Sequence, residues 1–200
     1  MSNITVNADY EKFKTVFLDE NSKINLISKN DEKFLYEKHF FDSLAIKLFF
    51  EKYGYTPAKL LDIGTGGGFP SVPLAMEYPQ ISVYGVDSIG KKIRAVTEIS
   101  EKLNLSNLTL INDRVENIKD IKFDLITSRA VGKIDLLLKY AYPLLADNGY
   151  IVLYKSKSAN EEIDEAKNLI RKLHLKILPT IEYELPLEDK FIRNLVIFQK

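Results

Sequence analysis

One segment of the chain is built for close contact with a ligand: residues 60–70, LLDIGTGGGFP. Gly64, Gly66 and Gly68 sit at every second position, directly after an apolar run. Glycine accepts positive φ and has no Cβ, so such a loop turns tightly and brings its backbone close to a ligand. A phosphate-cradling P-loop would need a following Gly-Lys-Ser/Thr, which is absent. A nicotinamide or flavin fingerprint would need a small third residue in G-x-G-x-x-G. Counted from Gly64, that place holds the bulky Phe69. Asp62 adds a carboxylate at the root of the loop. Asp87, 23 residues after Gly64, closes the next apolar run, where a carboxylate can accept hydrogen bonds from ribose hydroxyls. The plainer role for Asp87 is that of a turn residue. After the third run, Asn112 and Asp113 precede Arg114, Val115 and Glu116, a place where backbone and a polar side chain can read an adenine ring. Arg129, Lys133 and Lys155 lie at or just beyond the ends of the fourth and fifth runs. They predict a local positive rim suited to phosphates; the alternative, clearest for Lys133 and Lys157, is solvated surface charge.

These groups need a scaffold that brings the ends of several strands together. Residues 8–53 read as helical, with Phe13, Val16 and Phe17 at helical spacing and a polar connector at 23–30. From residue 59 the rhythm changes. Short apolar runs at 59–63, 81–86, 108–111, 123–127 and 150–154 alternate with helical patterns at 72–78, 91–103, 134–145 and 161–173. That alternation predicts βαβ units and a parallel sheet covered on both faces. The end differs: 176–183 and 193–198 read as two strands with no helix between them, so the sheet should close with an antiparallel pair. A dinucleotide dehydrogenase would instead continue to a sixth parallel strand. The expectation is an α/β, Rossmann-like class I methyltransferase fold. It has a seven-stranded, mostly parallel sheet with an antiparallel C-terminal strand. A helical extension covers residues 1–56, and a compact domain for S-adenosylmethionine covers 57–200. Asp62 before the glycines fits that fold as well.

Bulk properties narrow the function. With 46% hydrophobic residues the chain can bury a real core. Formal net charge is zero, so contact with nucleic acid must use a local patch rather than overall charge. There is no cysteine, which excludes a disulfide framework, a zinc–thiolate site and a cysteine nucleophile. The N-terminus shows no export signal and no run is long enough to span a membrane. A cytoplasmic protein, monomeric and without a metal, is expected.

The same absences bear on the methyl acceptor. Methylation of pyrimidine C5 normally needs a cysteine nucleophile. Methylation of an exocyclic base nitrogen typically uses an Asp/Asn-Pro-Pro-aromatic motif after the fourth strand, where this chain has TSRAVGK. Guanine N7 carries a free lone pair at neutral pH and needs no base, so catalysis reduces to positioning and desolvation. A small-molecule or protein acceptor remains the alternative, favoured by the neutral net charge.

Taken together, KINLIS from Lys23, KHFFDSL from Lys38, the glycine segment, VDSIGKK from Val86, RVE from Arg114, FDLITSRAV from Phe123, PLLADNGYIVLYKSK from Pro143 and RNLVIFQK from Arg193 resemble the bacterial 16S ribosomal RNA guanine-N7 methyltransferases, the glucose-inhibited division protein B family. The resemblance covers residues 20–200. It implies transfer of the methyl of S-adenosylmethionine to N7 of a guanosine in the 530-loop hairpin of the decoding region, in 16S RNA or an assembling 30S subunit. It implies cofactor contacts from Gly64, Phe69, Val115, Glu116 and Arg129, to which Asp62, Gly66, Gly68 and Asp87 are added from the loop itself. Arg129, Asn25 and His39 are expected at the reacting base, and Arg114, Lys133, Lys155 and Arg193 toward the RNA. A structural role is the alternative for His39, and pairing with a neighbouring acid for Arg193. The acids Glu182, Glu184, Glu188 and Asp189 would repel phosphates. The family usually has glycine where this chain has Ser71.

Overall fold

A computed structural model describes residues 8–200. The first seven residues of the expected helical extension, including the start read as lacking an export signal, lie outside it. The extension opens with α1 (Tyr10–Lys23), capped by the Asp9 side chain on the Lys12 amide. A short 3-10 turn and a seven-residue π-helix, Leu35–Phe41, follow, and then α2 (Asp42–Leu44) and α3 (Lys47–Tyr53). Gly54, at φ 57°, ends α3 in the left-handed region that glycine tolerates best.

The remaining elements alternate as the apolar runs require: β1 (Lys59–Ile63), α4 (Ser71–Glu77), β2 (Ser82–Asp87), α5 (Gly90–Leu103), β3 (Leu108–Asn112), β4 (Phe123–Arg129), α6 (Ile134–Ala141), β5 (Leu145–Lys155), α7 (Ala159–Lys172), β6 (Lys176–Leu185) and β7 (Phe191–Gln199). They form one sheet of seven strands in the order β3-β2-β1-β4-β5-β7-β6. β1 to β5 pair in parallel, and β7 runs antiparallel to both β5 and β6. The chain reverses its direction of growth between β1 and β4, which opens a crevice at their carboxyl ends. α6 ends earlier than its apolar pattern suggests. Pro143 lies in the 3-10 turn Tyr142–Leu144, and the chain enters β5 directly at Leu145.

Alternate residues of each strand serve opposite faces. Leu60, Val83, Leu125, Val152, Leu195 and Ile197 face one core, shared with Phe13, Phe17, Phe40 and Phe49 of the helical extension and with Val96 and Ile99 of α5. Leu61, Val86, Ile126, Ile151, Val196 and Phe198 face the other, closed by α6 and α7. The extension therefore shares a core with the sheet. α1 is also clamped to α5 by Lys102, whose ammonium lies 2.9 Å from Asp19 and 2.7 Å from Glu20. No helix among the described residues is long and apolar enough to cross a membrane.

Candidate functional site: two cavities joined at Arg129 and His39

The carboxyl ends of β1, β2 and β4 open into a cavity of about 490 Å³. The glycine loop forms its floor. Gly64 and Gly66 have φ of 72° and 56°, a region where a side chain is strained. A Cβ on Gly64 would also overlap Val131, and one on Gly67 would press on Leu26 at 3.2 Å. The Asp87 carboxylate fixes the loop, accepting from the Gly66 amide at 2.9 Å and the Ile89 amide at 2.8 Å. Val115 and Glu116 line the same cavity beyond β3, beside Asp113 and Arg114. Phe69 completes the wall nearest the helical extension, with its ring packed on Phe13 and Phe17.

Two expected contacts are placed elsewhere. Asp62 is fully buried beneath the loop and is not on the cavity wall. Burial raises its pKa from 3.8 to about 7, against the opposing pull of the Thr65 hydroxyl, the Arg129 charge and the Ser71 amide. Gly68 also lies off the wall. A Cβ there would meet Val72 at 2.7 Å and Val96 at 3.0 Å, so it lets α4 and α5 close on the loop. Gly68 thus does the packing work that a dinucleotide fingerprint assigns to its third small residue, one position before Phe69. Ser71 is buried, its hydroxyl 2.5 Å from that of Thr65, and seals the loop from behind.

A second cavity, of about 600 Å³, shares His39, Arg129 and Ala130 with the first. Arg129 is the joint. From the end of β4 its guanidinium donates to the Lys38 carbonyl at 2.9 Å and to the Asp42 carboxylate at 2.9 Å, contacts His39 Nδ1 at 3.1 Å, and lies 5.3 Å from the Phe69 ring centroid. Arginine can only donate, so His39 Nδ1 accepts and the neutral ring carries its proton on Nε2. Burial and the neighbouring guanidinium hold the His39 pKa down at about 4. His39 is thus neutral at physiological pH, with no lone pair facing away from Arg129. Its Nε2 is buried without a hydrogen-bond partner. The π-helix supplies Lys38 and His39 to this joint and leads directly into Asp42 at the start of α2, and π turns recur at functional sites.

The other expected residues divide. Asn25 is exposed and off both walls, whereas its neighbours Leu26 and Ile27 line the first cavity. The buried Asn21 holds them there, accepting from the Leu26 amide at 2.8 Å and the Ile27 amide at 3.0 Å. Arg114 is exposed at the mouth. Lys133 is exposed and pairs with Glu165. Lys155 is buried, its ammonium 2.6 Å from the Gly132 carbonyl and 2.7 Å from Glu162, so it orders the β4–α6 loop. Arg193 lines the second cavity. Three contributors escaped the sequence reading as site residues: Asn21, Asp42 and Tyr183. Asp42 is buried and accepts from the Tyr183 hydroxyl at 2.5 Å as well as from Arg129. The spacing His39-x-x-Asp42 was its only signal. Among the described residues no cluster of three His, Cys, Asp or Glu is placed to hold a metal.

The first cavity joins a backbone loop with a carboxylate after β2 and an apolar–acidic pair after β3. A glycine cradle closed to side chains and carboxylates at two strand ends fit a nucleoside with free ribose hydroxyls. Comparison with known proteins agrees. The family profile described as rRNA small subunit methyltransferase G matches residues 6–185. Ribosomal RNA small subunit methyltransferase G of Staphylococcus aureus (strain bovine RF122 / ET3-1) is 35% identical over 200 residues, covering 98% of this chain and 82% of that protein. Among solved structures, a methyltransferase from Pyrococcus furiosus superposes with a TM-score of 0.63 at 20% identity, covering 79% of this chain and 82% of that one. Coclaurine N-methyltransferase bound to N-methylheliamine and SAH gives 0.62 at 10% identity, covering 96% and 88%. At these identities the two structures speak for the fold alone. With the sequence match, they place the chain in the rRNA small subunit methyltransferase G family, as an S-adenosylmethionine-dependent methyltransferase.

Proposed function

We propose that the chain transfers the methyl group of S-adenosylmethionine to N7 of a guanosine in 16S ribosomal RNA, in the 530-loop hairpin of the decoding region. The observation that carries this reading is the pair of cavities meeting at Arg129 and His39, a joint where, among the described residues, the two groups placed to take a proton, His39 and Asp42, are already held by hydrogen bonds. His39 has its only lone pair on Arg129. Asp42 is held by Arg129 and Tyr183. An acceptor that must lose a proton would lack a partner here, whereas guanine N7 has no proton to lose.

The cofactor, when bound, supplies an electrophilic methyl on a sulfonium. Guanine N7 would take that methyl carbon as its bond to sulfur breaks, leaving a neutral thioether and a positively charged guanine ring. The chain's part is positioning. Gly64, Gly66, Asp87, Val115 and Glu116 would hold the nucleoside, with Asp62 and Gly68 shaping the loop from beneath. Phe69 and Arg129 divide this space from the acceptor side. Arg129 is itself held rigid by three partners. Arg114, exposed at the mouth of the first cavity, would meet phosphates, whereas Lys133 is exposed but paired with Glu165 and would have to release that acid to do so.

The test is incubation of the protein with methyl-labelled cofactor and either 16S RNA or 30S subunits, followed by borohydride–aniline cleavage, which cuts RNA at N7-methylguanosine. Label at guanine N7 in the decoding hairpin is expected. No transfer to any ribosomal substrate, or transfer only to a small molecule or protein, would sink the reading.

A further inference from the structure

The second cavity holds more than the reacting joint. Three acids line it: Asp31, Asp42 and Glu162. Each has its own cation. Lys38 lies 3.3 Å from Asp31, Arg129 2.9 Å from Asp42, and Lys155 2.7 Å from Glu162. Four cations line the cavity, so one is left over. It is Arg193, which among the described residues has no ion pair and whose Nε is buried without a hydrogen-bond partner. Its guanidinium lies over the ring of Phe191, 5.1 Å from the centroid. Phe191 is itself unusual: a large aromatic at the start of β7, 42% exposed, on the wall of this same cavity.

Strand register explains why this pair faces the cavity and the acids of the last hairpin do not. Phe191 is opposite Leu185 and Arg193 opposite Tyr183. Phe191 and Arg193 alternate in step with Leu195 and Ile197, which pack into the core shared with the helical extension. Glu182 and Glu184 stand opposite Asn194 and Ile192, on the other face of the sheet. The feared repulsion from these two acids therefore falls on the wrong side, and the alternative pairing of Arg193 with one of them does not occur.

We propose that the second cavity seats one unpaired nucleotide of the substrate RNA, its base stacked on Phe191 and its phosphate drawn to Arg193. This rests on the RNA reading above. An exposed ring offers a face to any base, which is how proteins hold single-stranded nucleic acid, and an arginine without an acid is free to meet a phosphate. A cavity of about 600 Å³ has the capacity for a nucleotide. It shares the wall residues His39, Arg129 and Ala130 with the first cavity, so its occupant lies beside the cofactor space, on the acceptor side. Phe191 is then a positioning residue for the RNA and takes no part in the bond exchange.

The test uses the full chain, 16S RNA transcript or 30S subunits, and methyl-labelled cofactor. Phe191→Ala should lower kcat/KM for RNA by roughly 5- to 150-fold, the worth of one stacked base. Affinity for S-adenosylhomocysteine by calorimetry and the thermal midpoint should stay at wild-type values. Phe191→Tyr should restore the rate and Phe191→Leu should not, because leucine fills space without a π-face. Arg193→Gln should shallow the dependence of log binding on log salt by about one, while Phe191→Ala leaves that slope alone. Should Phe191→Ala lose stability, the Tyr-against-Leu comparison at matched thermal midpoints decides. Wild-type kcat/KM in Phe191→Ala, or equal rescue by Leu and Tyr, overturns the stacking site while leaving RNA methylation intact. A wild-type protein that methylates no ribosomal RNA overturns both readings together.

Discussion

Asp62 allows a test that needs no substrate. Its carboxylate is fully buried at the root of the glycine loop, neither oxygen makes a full hydrogen bond, and its pKa is raised to about 7. Unfolded, the group titrates at the ordinary 3.8. Between about pH 4 and pH 7 the folded protein therefore holds a proton that the unfolded chain has lost, and stability falls as pH rises through that window. A gap of about three pH units is worth about 4 kcal/mol, the cost of carrying the buried charge above pH 7. Asp62→Asn keeps the shape and removes the titration. Relative to the wild type, the variant should gain about 2 kcal/mol between pH 5 and pH 7 and little more by pH 8. Urea unfolding of both proteins at each pH, with slopes compared to confirm equal exposed surface, measures this directly. Parallel pH profiles would refute the reasoning. They would mean that the folded protein carries Asp62 ionised at pH 5, held by Thr65 and Ser71 more firmly than burial opposes it.

Three further outcomes follow from the same geometry. Gly64→Ala should weaken cofactor binding at least about tenfold in calorimetry, because a Cβ there overlaps Val131 and the backbone sits at φ 72°; strain at such a position costs about 1–3 kcal/mol. Gly54→Ala, with nothing within 4 Å of its Cβ, is the control and should lose only stability. Tyr183→Phe removes the hydroxyl that donates to Asp42 and should cost about 1.5–3 kcal/mol in urea unfolding, as for a bond to a charged group; a loss within error would show that Arg129 alone satisfies Asp42. Ring resonances of His39, followed by NMR as pH falls, should hold steady past pH 6.5 and move near pH 4. A midpoint near 6.5 would show that the Arg129 contact does not fix the neutral ring.

The parallel strands and the antiparallel close were legible because each buried strand writes an apolar run of its own and the last two lack a helix between them. The end of α6 was not, since Leu144 and Leu145 continue its apolar pattern across a turn that only Pro143 marks. At the site, glycine spacing located the floor of the first cavity. It could not separate Gly64 and Gly66, which line that cavity, from Gly68, which faces α4 and α5. Asp62 looked like a contact because it is close in sequence, but strand alternation turns it beneath the loop. Lys155 looked like a free cation until α7 brought Glu162 to it. Asn21 and Tyr183 were invisible for a simpler reason. Their partners are made by tertiary packing, and nothing local distinguishes a buried asparagine or tyrosine from an exposed one.

The bonds around Asp42 and Ser43 span great lengths of chain. Arg129 is 87 residues from Asp42 and Tyr183 is 141, while the Tyr154 hydroxyl reaches the Ser43 carbonyl across 111. Contacts so distant in sequence form late, because the intervening loops must close first. The joint is complete only when Tyr183 of β6 reaches Asp42. The joint at Arg129 thus draws on segments from most of the described chain, whereas the hold of Asp87 on the glycine loop spans only 21 residues, so a change in the last hairpin can disturb the joint while leaving that loop bond in place.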